Sequence, residues 1–457
     1  MTSFIFDHAL LPSGWARGVR IEVGDGVIVR VDASAPGGGQ HVAGQQVAGI
    51  ALPGLPNLHS HAFQKGMAGL SERRGPASDN FWTWREVMYR FLGALTPDDV
   101  EAIAAYAYME MLEAGFTAVG EFHYLHHDTD GAPYADLGEM TTRIVAAAAQ
   151  TGISLTLLPC FYAYGGFGGA PATHGQRRFI NQPERFLQVV ERTREIAKSL
   201  PGTRVGIAPH SLRAVTPETL KIVLEEARGG PVHIHAAEQT KEVDDCIASL
   251  GQRPVQWLLD HAAVDDNWCF IHATHMTPEE TVALAASGAV AGLCPLTEAN
   301  LGDGIFSGQE YLACDGRFGI GTDSNIQIDA AAELRQLEYA QRLKRRERNV
   351  LARTEGDSLG AQLYAGALRG GAQALGLAAG ALKVGQRADI VVLDDAHPDL
   401  TGRAGDAWLD SYVFVTGRRA VKTVIAAGEL VVADGRHRQH DAIARRYREV
   451  LGRLAVL

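Results

Sequence analysis

Residues 52–61 read Leu-Pro-Gly-Leu-Pro-Asn-Leu-His-Ser-His, an apolar run that ends in His59 and His61. Because side chains alternate along a β-strand, the two imidazoles of such a run point to the same face. A His-x-His pair is a weak signal by itself, since the chain has 17 histidines and a second pair at His233 and His235. The meaning of the first pair therefore depends on what stands at the ends of the other apolar runs.

Polar residues that can bind a metal follow three later apolar runs. His235 is followed three positions later by Glu238, His272 ends the next run, and Asp323 lies in a Gly-Thr-Asp-Ser turn. If these runs are strands, residues far apart in sequence can converge on one ion. Neutral imidazoles with one carboxylate suit a catalytic Zn²⁺ or Fe²⁺ that keeps one position open for water. We therefore predict a metal site with the ligands His59, His61, His235 and Asp323.

The remaining polar residues of these runs are candidates for proton transfer. Glu238 can act as a general acid and base, although a solvated loop carboxylate is the ordinary alternative. His272 can orient or polarise the attacking water; His275 competes for that role but is expected in a loop. Asp323 can bind the metal and also accept a proton from the water. His233 lies deeper in its strand, where we expect a buried, hydrogen-bonded side chain.

A second metal ion is not expected. In metal-dependent α/β barrels, sites that hold two ions commonly use a bridging carboxylated lysine or a glutamate from a middle strand. The chain has no lysine between Lys65 and Lys198. Glu121 ends the second apolar run and could form a bridge, but no partner for it is evident. We therefore predict one ion per chain.

Between the termini, apolar runs alternate with helical patterns. Eight strand-helix units predict an α/β fold with a TIM-like (β/α)₈ barrel. An open doubly wound sheet is the alternative, but a barrel gathers all the polar residues at strand ends into one mouth. The predicted strands are centred near Leu58, Val119, Leu157, Ile207, Ile234, Ile271, Ala291 and Ile320. The predicted helices include Pro97–Ala114, Pro183–Leu200, Pro217–Arg228 and Pro278–Ala286.

Both ends of the chain contain short alternating segments separated by turns. Asp25-Gly26 separates two of them, and residues 388–393 and 421–432 show the same pattern. Neither end alone could bury both faces of a sheet, so we predict one small β-sandwich built from both termini. The predicted domains are the N-terminal part of this sandwich (1–53), the catalytic barrel (54–380), and the C-terminal part with a closing helix, His440–Leu454 (381–457). The glycines at 37–39 are expected in a surface loop.

Composition excludes several classes of function. The 457 residues are 46% hydrophobic and 21% charged, with a net charge of −11, so neither nucleic acid nor an anionic membrane is an expected partner. No apolar run is long enough to cross a bilayer. The five scattered cysteines lack CxxC spacing, which argues against disulfides and a thiolate metal site. We expect a cytoplasmic enzyme.

Two segments resemble the amidohydrolase superfamily, in its deaminase-like branch: residues 52–61 and the Gly-Thr-Asp-Ser turn at 321–324. The expected sandwich and residues 382–391 fit the same pattern. Within the branch, the chain is most similar to the N-formimino-L-glutamate deiminases of histidine degradation. That closer resemblance depends on FWTWRE at 81–86, HIHAAEQ at 233–239 and CPLTEANLGDG at 294–304.

The resemblance implies a reaction and a set of site residues. The reaction would be hydrolysis of N-formimino-L-glutamate to N-formyl-L-glutamate and ammonia. The four metal ligands would hold Zn²⁺, with Fe²⁺ as the alternative, while Glu238, His272 and Asp323 would be catalytic. The implied substrate contacts are Gln64, Arg85, Tyr124, His210 and Arg213.

Simple chemistry supports these substrate contacts. A guanidinium such as that of Arg213 recognises a carboxylate with two parallel hydrogen bonds, which lysine does not. The ordinary alternatives are a capping or surface role for Arg213 and a core-edge role for Tyr124. Trp82 and Trp84 are expected to pack rather than to stack on a ligand.

Other functions on the same scaffold remain open. A guanine, cytosine or adenosine-derivative deaminase would share every metal ligand, but it would need aromatic stacking and amide contacts where the arginines indicate an anionic substrate. Imidazolonepropionase is a ring-opening alternative, and a barrel without catalysis could serve as a binding module. The expected partners are a small dicarboxylate amidine and a second copy of the chain in a homodimer.

Overall fold

The computed structural model describes residues 1–33, 44–74, 79–226 and 229–455, and the expected loop at 37–39 lies outside them. One sheet is a barrel of parallel strands, and the other is a mixed sheet built from both ends of the chain. Among the described helices, none has the combination of length and apolar character that a membrane crossing requires. The N-terminal strands are β1 (Thr2–Leu11), β2 (Gly14–Gly24), β3 (Val27–Asp32) and β4 (Gln45–Pro53).

The barrel strands occur at all eight places where the apolar runs predict them. The first three are β5 (Leu55–Ser60), β6 (Phe116–His123) and β7 (Ser154–Phe161). The fourth is split into β8 (Arg204–Val205) and β9 (Ala208–Pro209). The last four are β10 (Val232–Ala236), β11 (Trp268–His272), β12 (Val290–Leu293) and β13 (Arg317–Ile320).

Pairing between the first and last strands closes the barrel. The order is β10-β11-β12-β13-β5-β6-β7-β8, and β9 also pairs with β7. A parallel bridge from Ile207 to Val232 joins the split fourth strand to β10. Every residue of β5, β6 and β7 is buried, as expected for strands covered by helices outside and by side chains inside. The barrel prediction is therefore confirmed.

Helices surround this barrel, and several begin with the capping pattern that the sequence predicts. Thr96 and Thr277 each accept a backbone N–H three residues ahead and precede a proline at the first helical position. The predicted helices begin where expected and end within three residues of the prediction, except that 227–228 lie outside the described residues. The helices are α1 (Phe81–Leu92), α2 (Pro97–Glu113), α3 (Glu139–Thr151), α4 (Pro183–Ala197), α5 (Pro217–Glu226), α6 (Thr240–Leu250), α7 (Pro254–His261), α8 (Pro278–Ser287), α9 (Pro295–Leu301), α10 (Gly308–Ala313), α11 (Ala330–Arg345), α12 (Leu359–Ala374), α13 (Asp406–Ser411) and α14 (His440–Leu454).

The second sheet combines strands from both termini, as predicted. Its last four strands are β14 (Ile390–Leu393), β15 (Val421–Ala426), β16 (Glu429–Ala433) and β17 (Arg436–His437). The order is β17-β16-β15-β14-β4-β1-β2-β3, so β14 and β4 join the two halves. A separate apolar core that includes Phe4, Ile21, Ile390 and Ile425 is buried by both halves. Since β4 runs directly into β5, this sheet also anchors the barrel strand that carries the first histidine pair.

Candidate metal centre and active site

Four side chains meet at the carboxyl end of the barrel: His59 lies near the end of β5 and His61 follows that strand, His235 lies in β10, and Asp323 lies in the turn after β13. One ligand atom from each of His59, His61, His235 and Asp323 lies within 4.8 Å of the others, and all four residues are buried. His59 Nε2 is 3.1 Å from His235 Nε2 and 3.4 Å from Asp323 Oδ1, which is also 3.4 Å from His61 Nε2. Tetrahedral Zn–N and Zn–O bonds of about 2.0–2.1 Å place their ligand atoms roughly 3.4 Å apart. The spacing of these atoms therefore fits one ion.

Hydrogen bonds on the far side of the rings hold two of the imidazoles in place. Nδ1 of His61 donates to the carbonyl of Phe122 at 3.0 Å, and Nδ1 of His235 donates to the carbonyl of His210 at 2.9 Å. This leaves Nε2 of each ring free to face the centre, as in known metal sites. Burial, together with the neighbouring His61, lowers the pKa of His59 to about 3. Neutral nitrogen donors of this kind are the form that binds Zn²⁺ or Fe²⁺.

A tight turn after β13 brings the aspartate to the histidines. The backbone N–H of Asp323 donates to the carbonyl of His59 at 2.9 Å, and Asp323 has a left-handed φ of 45°. A Cβ on Gly321 would lie 2.8 Å from the Cβ of His59, so only glycine allows this approach. Burial opposes ionisation of Asp323, but the hydrogen bond from His59 and the electrostatic influence of the surrounding imidazoles outweigh it and hold the pKa of the carboxyl below its ordinary value.

Comparison with known proteins identifies the scaffold. The sequence model of the Amidohydrolase family matches residues 50–431. The chain belongs to the amidohydrolase family. Proteins of this family usually bind a metal, which agrees with the four-residue cluster. The N-terminal domain of formimidoylglutamate deiminase HutF matches residues 2–42.

Individual relatives differ in how much they share with this amidohydrolase. A formimidoylglutamate deiminase of Pseudomonas aeruginosa is 52% identical over 458 residues, which cover 99% of this chain and 100% of that protein. The crystal structure of an amidohydrolase from Brucella melitensis is 52% identical, with a TM-score of 0.94 and full coverage of both chains. A 5-methylthioadenosine/S-adenosylhomocysteine deaminase of Natronomonas pharaonis is 27% identical over 86% of this chain and 84% of that protein. An adenosine deaminase from Xanthomonas campestris, solved with bound zinc, has a TM-score of 0.81 at 21% identity and shares the fold.

Glu238 and His272 lie beside the four candidate metal ligands of this amidohydrolase. His272 Nε2 is 3.8 Å from Asp323 Oδ2 and 3.9 Å from Glu238 Oε1. Burial raises the pKa of Glu238 to about 7, although His272 and Arg213 oppose the shift. Burial acts to lower the pKa of His272, but the charge of Glu238 and a hydrogen bond to Glu298 raise it to about 10. A carboxyl group that titrates near neutral pH is suited to both accept and return a proton.

The backbone at these two strand ends is unusual for residues with side chains. Ala237, His272 and Ala273 have φ values of 53°, 69° and 48°. Left-handed conformations at non-glycine positions are uncommon and concentrate at functional sites. They turn the chain out of β10 and β11 immediately, which leaves Glu238 and His272 at the mouth of the barrel.

All five residues that the resemblance implies for substrate contact line one cavity above the four candidate metal ligands. That cavity is lined by Gln64, Arg85, Tyr124, His210 and Arg213, together with His61, His235, Glu238, His272 and Asp323. Gln64 donates to the Tyr124 hydroxyl at 2.8 Å, while its Oε1 is buried without a hydrogen-bond partner in the described residues. The structure therefore brings together every site residue that the sequence indicates.

Trp82 supports the two arginines from outside the cavity. The Arg85 guanidinium lies 4.7 Å, and that of Arg213 5.6 Å, from the centre of the Trp82 ring. Such cation–π contacts hold the guanidinium planes and leave their N–H groups available. Trp84 lines the cavity itself. Arg213 Nη2 is also 3.6 Å from Glu238 Oε2.

The competing candidates occupy other positions. His233 is fully buried and donates from Nε2 to the carbonyl of Ala374 at 2.7 Å, as expected from its depth in the strand. His275 donates to the Asp303 carbonyl at 2.7 Å and does not line the cavity. Glu121 is buried at the end of β6, where its Oε1 accepts the backbone N–H of Ala62 at 2.8 Å.

Sequence reasoning missed three residues beside the site. His272, Cys294 and Asp323 form a second group whose ligand atoms lie within 4.8 Å of one another. Glu298 accepts a hydrogen bond from His272, and burial with the nearby charge of Glu238 raises the pKa of Asp303 to about 9. Cys294, Glu298 and Asp303 all belong to the segment 294–304 that carries part of the family resemblance. The similarity of this segment to the family therefore marked it as part of the site, but it did not indicate which residues of the segment face the site.

Proposed function

We propose that this amidohydrolase hydrolyses the C–N bond of N-formimino-L-glutamate, giving N-formyl-L-glutamate and ammonia. The observation that carries the proposal is the cavity itself. It is lined by Arg85 and Arg213 together with candidate metal ligands and Glu238. The P. aeruginosa relative, at 52% identity over its full length, supports the same reaction.

The chemistry of the substrate matches the charges that line the cavity. Formiminoglutamate has a cationic amidinium on its α-nitrogen, one carboxylate on the adjacent α-carbon and a second carboxylate at the far end of its side chain. Arg85 Nε and Arg213 Nε are buried and lack hydrogen-bond partners among the described residues, so both guanidinium groups can receive carboxylates. Next to Arg213, whose Nη2 is 3.6 Å from Glu238 Oε2, the carboxylates of Glu238 and Asp323 favour a cation beside the candidate metal ligands.

We propose one Zn²⁺ per chain at the four-residue cluster, with Fe²⁺ as the alternative. Three buried imidazoles and one carboxylate at the observed spacing fit either ion. When bound, the metal supplies a nucleophilic hydroxide near neutral pH by lowering the pKa of water.

The residues of the chain then divide the proton transfers. Asp323 and His272 orient the attacking water, and Glu238 accepts its proton. The water oxygen attacks the formimino carbon, which becomes tetrahedral. Glu238 returns the proton to the amino group, the C–N bond breaks as the hydroxyl proton passes to Asp323, and ammonia leaves. N-formyl-L-glutamate remains.

An ammonia-release assay with purified protein tests this function. The compounds to compare are formiminoglutamate, formiminoaspartate, guanine, cytosine and imidazolonepropionate. We expect formiminoglutamate to be the best substrate, because the cavity offers two guanidinium groups for its two carboxylates. Activity on guanine or cytosine without activity on formiminoglutamate would replace the proposal with a nucleobase deaminase. Ring opening of imidazolonepropionate alone would indicate the other alternative.

Replacement of Arg213 by methionine should raise KM for formiminoglutamate about 100-fold and change kcat less, because a charge-assisted hydrogen bond contributes roughly 1.5–3 kcal/mol. Steady-state kinetics at fixed metal content measures this. Lys241→Met is the matched control, since Lys241 lies 5.8 Å from the same Trp82 ring but outside the cavity. Equal KM values for the two variants would remove Arg213 from substrate binding.

We also propose that the enzyme acts in the cytoplasm. All five cysteines are free, and four of them are buried, which suits a reducing compartment. The homodimer stays a prediction.

A further inference from the structure

Glu298 lies in the first turn of α9, directly behind His272. Its Oε1 is 3.2 Å from His272 Nδ1 and accepts the backbone N–H of Cys294 at 2.9 Å. Both Glu298 and His272 are buried, at 5% and 1% exposure. The carboxylate is therefore held by its own helix and faces the imidazole from the side away from the cavity.

Three imidazoles of this site, those of His61, His235 and His272, are hydrogen-bonded through Nδ1 but differ in the acceptor. His61 and His235 donate to backbone carbonyls, whereas His272 donates to a carboxylate. Nδ1 of His272 donates to this carboxylate, and Nε2 is the ring nitrogen that faces Asp323 and Glu238.

We propose that Glu298 is a positioning residue that fixes the His272 ring with its Nε2 directed at Glu238 and Asp323. This inference rests on the proposed function, in which His272 orients the attacking water. Glu298 does not line the cavity and acts only through His272. A charged acceptor also strengthens the hold on the ring, because hydrogen bonds to ionised groups are roughly twice as strong as neutral ones.

Glu333, in α11, provides a matched comparison because it contacts the same helix, α9. It is also fully buried, and its Oε2 accepts the backbone N–H of Leu296 in the first turn of α9 at 2.9 Å. No contact joins it to His272 within the described part of the chain. Burial raises its pKa well above the ordinary value, and glutamine keeps the shape of the side chain without its charge.

The test compares Glu298→Ala, Glu298→Gln and Glu333→Gln with the parent enzyme, at equal metal content and with formiminoglutamate as substrate. Loss of the outer hydrogen-bond partner of a metal-binding histidine typically costs about 10- to 100-fold, and we expect a loss of similar size for His272. We expect Glu298→Ala to lower kcat about 100-fold with KM within about threefold. Glu298→Gln should lose only about tenfold, because the Cys294 N–H still directs an amide oxygen at His272. Glu333→Gln should stay within about twofold of the parent.

The outcomes separate this inference from the proposed function. If the parent releases no ammonia from formiminoglutamate, the proposed function fails, and the same variants are compared on whichever compound is hydrolysed. If the parent is active and Glu298→Ala keeps kcat within about threefold, only the positioning role is wrong. If Glu298→Ala does not fold, Glu298→Gln decides: activity equal to that of Glu333→Gln overturns the proposal.

Discussion

Chelation of the metal is expected to lower turnover by at least about 10³-fold, and added Zn²⁺ should restore it. The four ligand atoms lie within 4.8 Å of one another around one point, and no other source of an activated water lies in the cavity among the described residues. The measurement is ammonia release before and after dialysis against dipicolinate, with metal content determined on the same samples.

Two variants of the second histidine pair supply the control for metal removal. His235→Ala should lose the ion and stay inactive when Zn²⁺ is added, because Nε2 of His235 belongs to the cluster. His233→Gln should keep the ion, since His233 lies in the same strand but contacts the Ala374 carbonyl. Full activity in metal-free protein, or equal metal loss in both variants, would contradict the assigned site.

Substitution of Glu238 by glutamine should lower kcat by about 10² or more and leave metal content unchanged. Glutamine has nearly the same shape but cannot accept a proton from water. Glu242→Gln is the matched control, because Glu242 is also buried and accepts the Glu238 backbone N–H at 3.0 Å. Unchanged turnover in Glu238→Gln would exclude this carboxylate from the proton transfers.

The pH profile of the parent enzyme gives a second measurement of the same group. Burial raises the pKa of Glu238 to about 7, and the base must be ionised to accept a proton. The value of kcat/KM should therefore fall as the pH decreases through about 7. Arg213→Met should shift the midpoint of this fall to higher pH, since Arg213 lowers the pKa of Glu238.

The sequence predicted the barrel well because buried parallel strands leave continuous apolar runs. It also predicted the four clustered residues, since each follows such a run. It did not predict the division of the fourth strand around Gly206 and Ile207, whose only trace is a short, proline-containing run. The parallel pairing of β1 with β4 was likewise invisible, because local alternation does not specify the partner strand.

The outer residues of the site were harder to predict for a physical reason. Glu298 and Cys294 reach His272 and Asp323 only because neighbouring loops converge at the barrel mouth. Spacing within 294–304 does not reveal which side chains of α9 face inward. Positive φ values at His272 and Asp323 could not be anticipated either, since they are uncommon at non-glycine positions and nothing in the local sequence marks these two residues.

The junction of β4 with β14 has a consequence for synthesis of the protein. Residues 50–53 pair with 390–393, so the strand that leads into the first histidines gains this neighbour only after the whole barrel has been synthesised. Until then the nascent polypeptide exposes an unpaired strand edge of the kind that recruits other chains. Residues 390–393 must therefore be made before the native enzyme can assemble, and a premature stop near residue 380 leaves an aggregation-prone fragment instead of a working barrel.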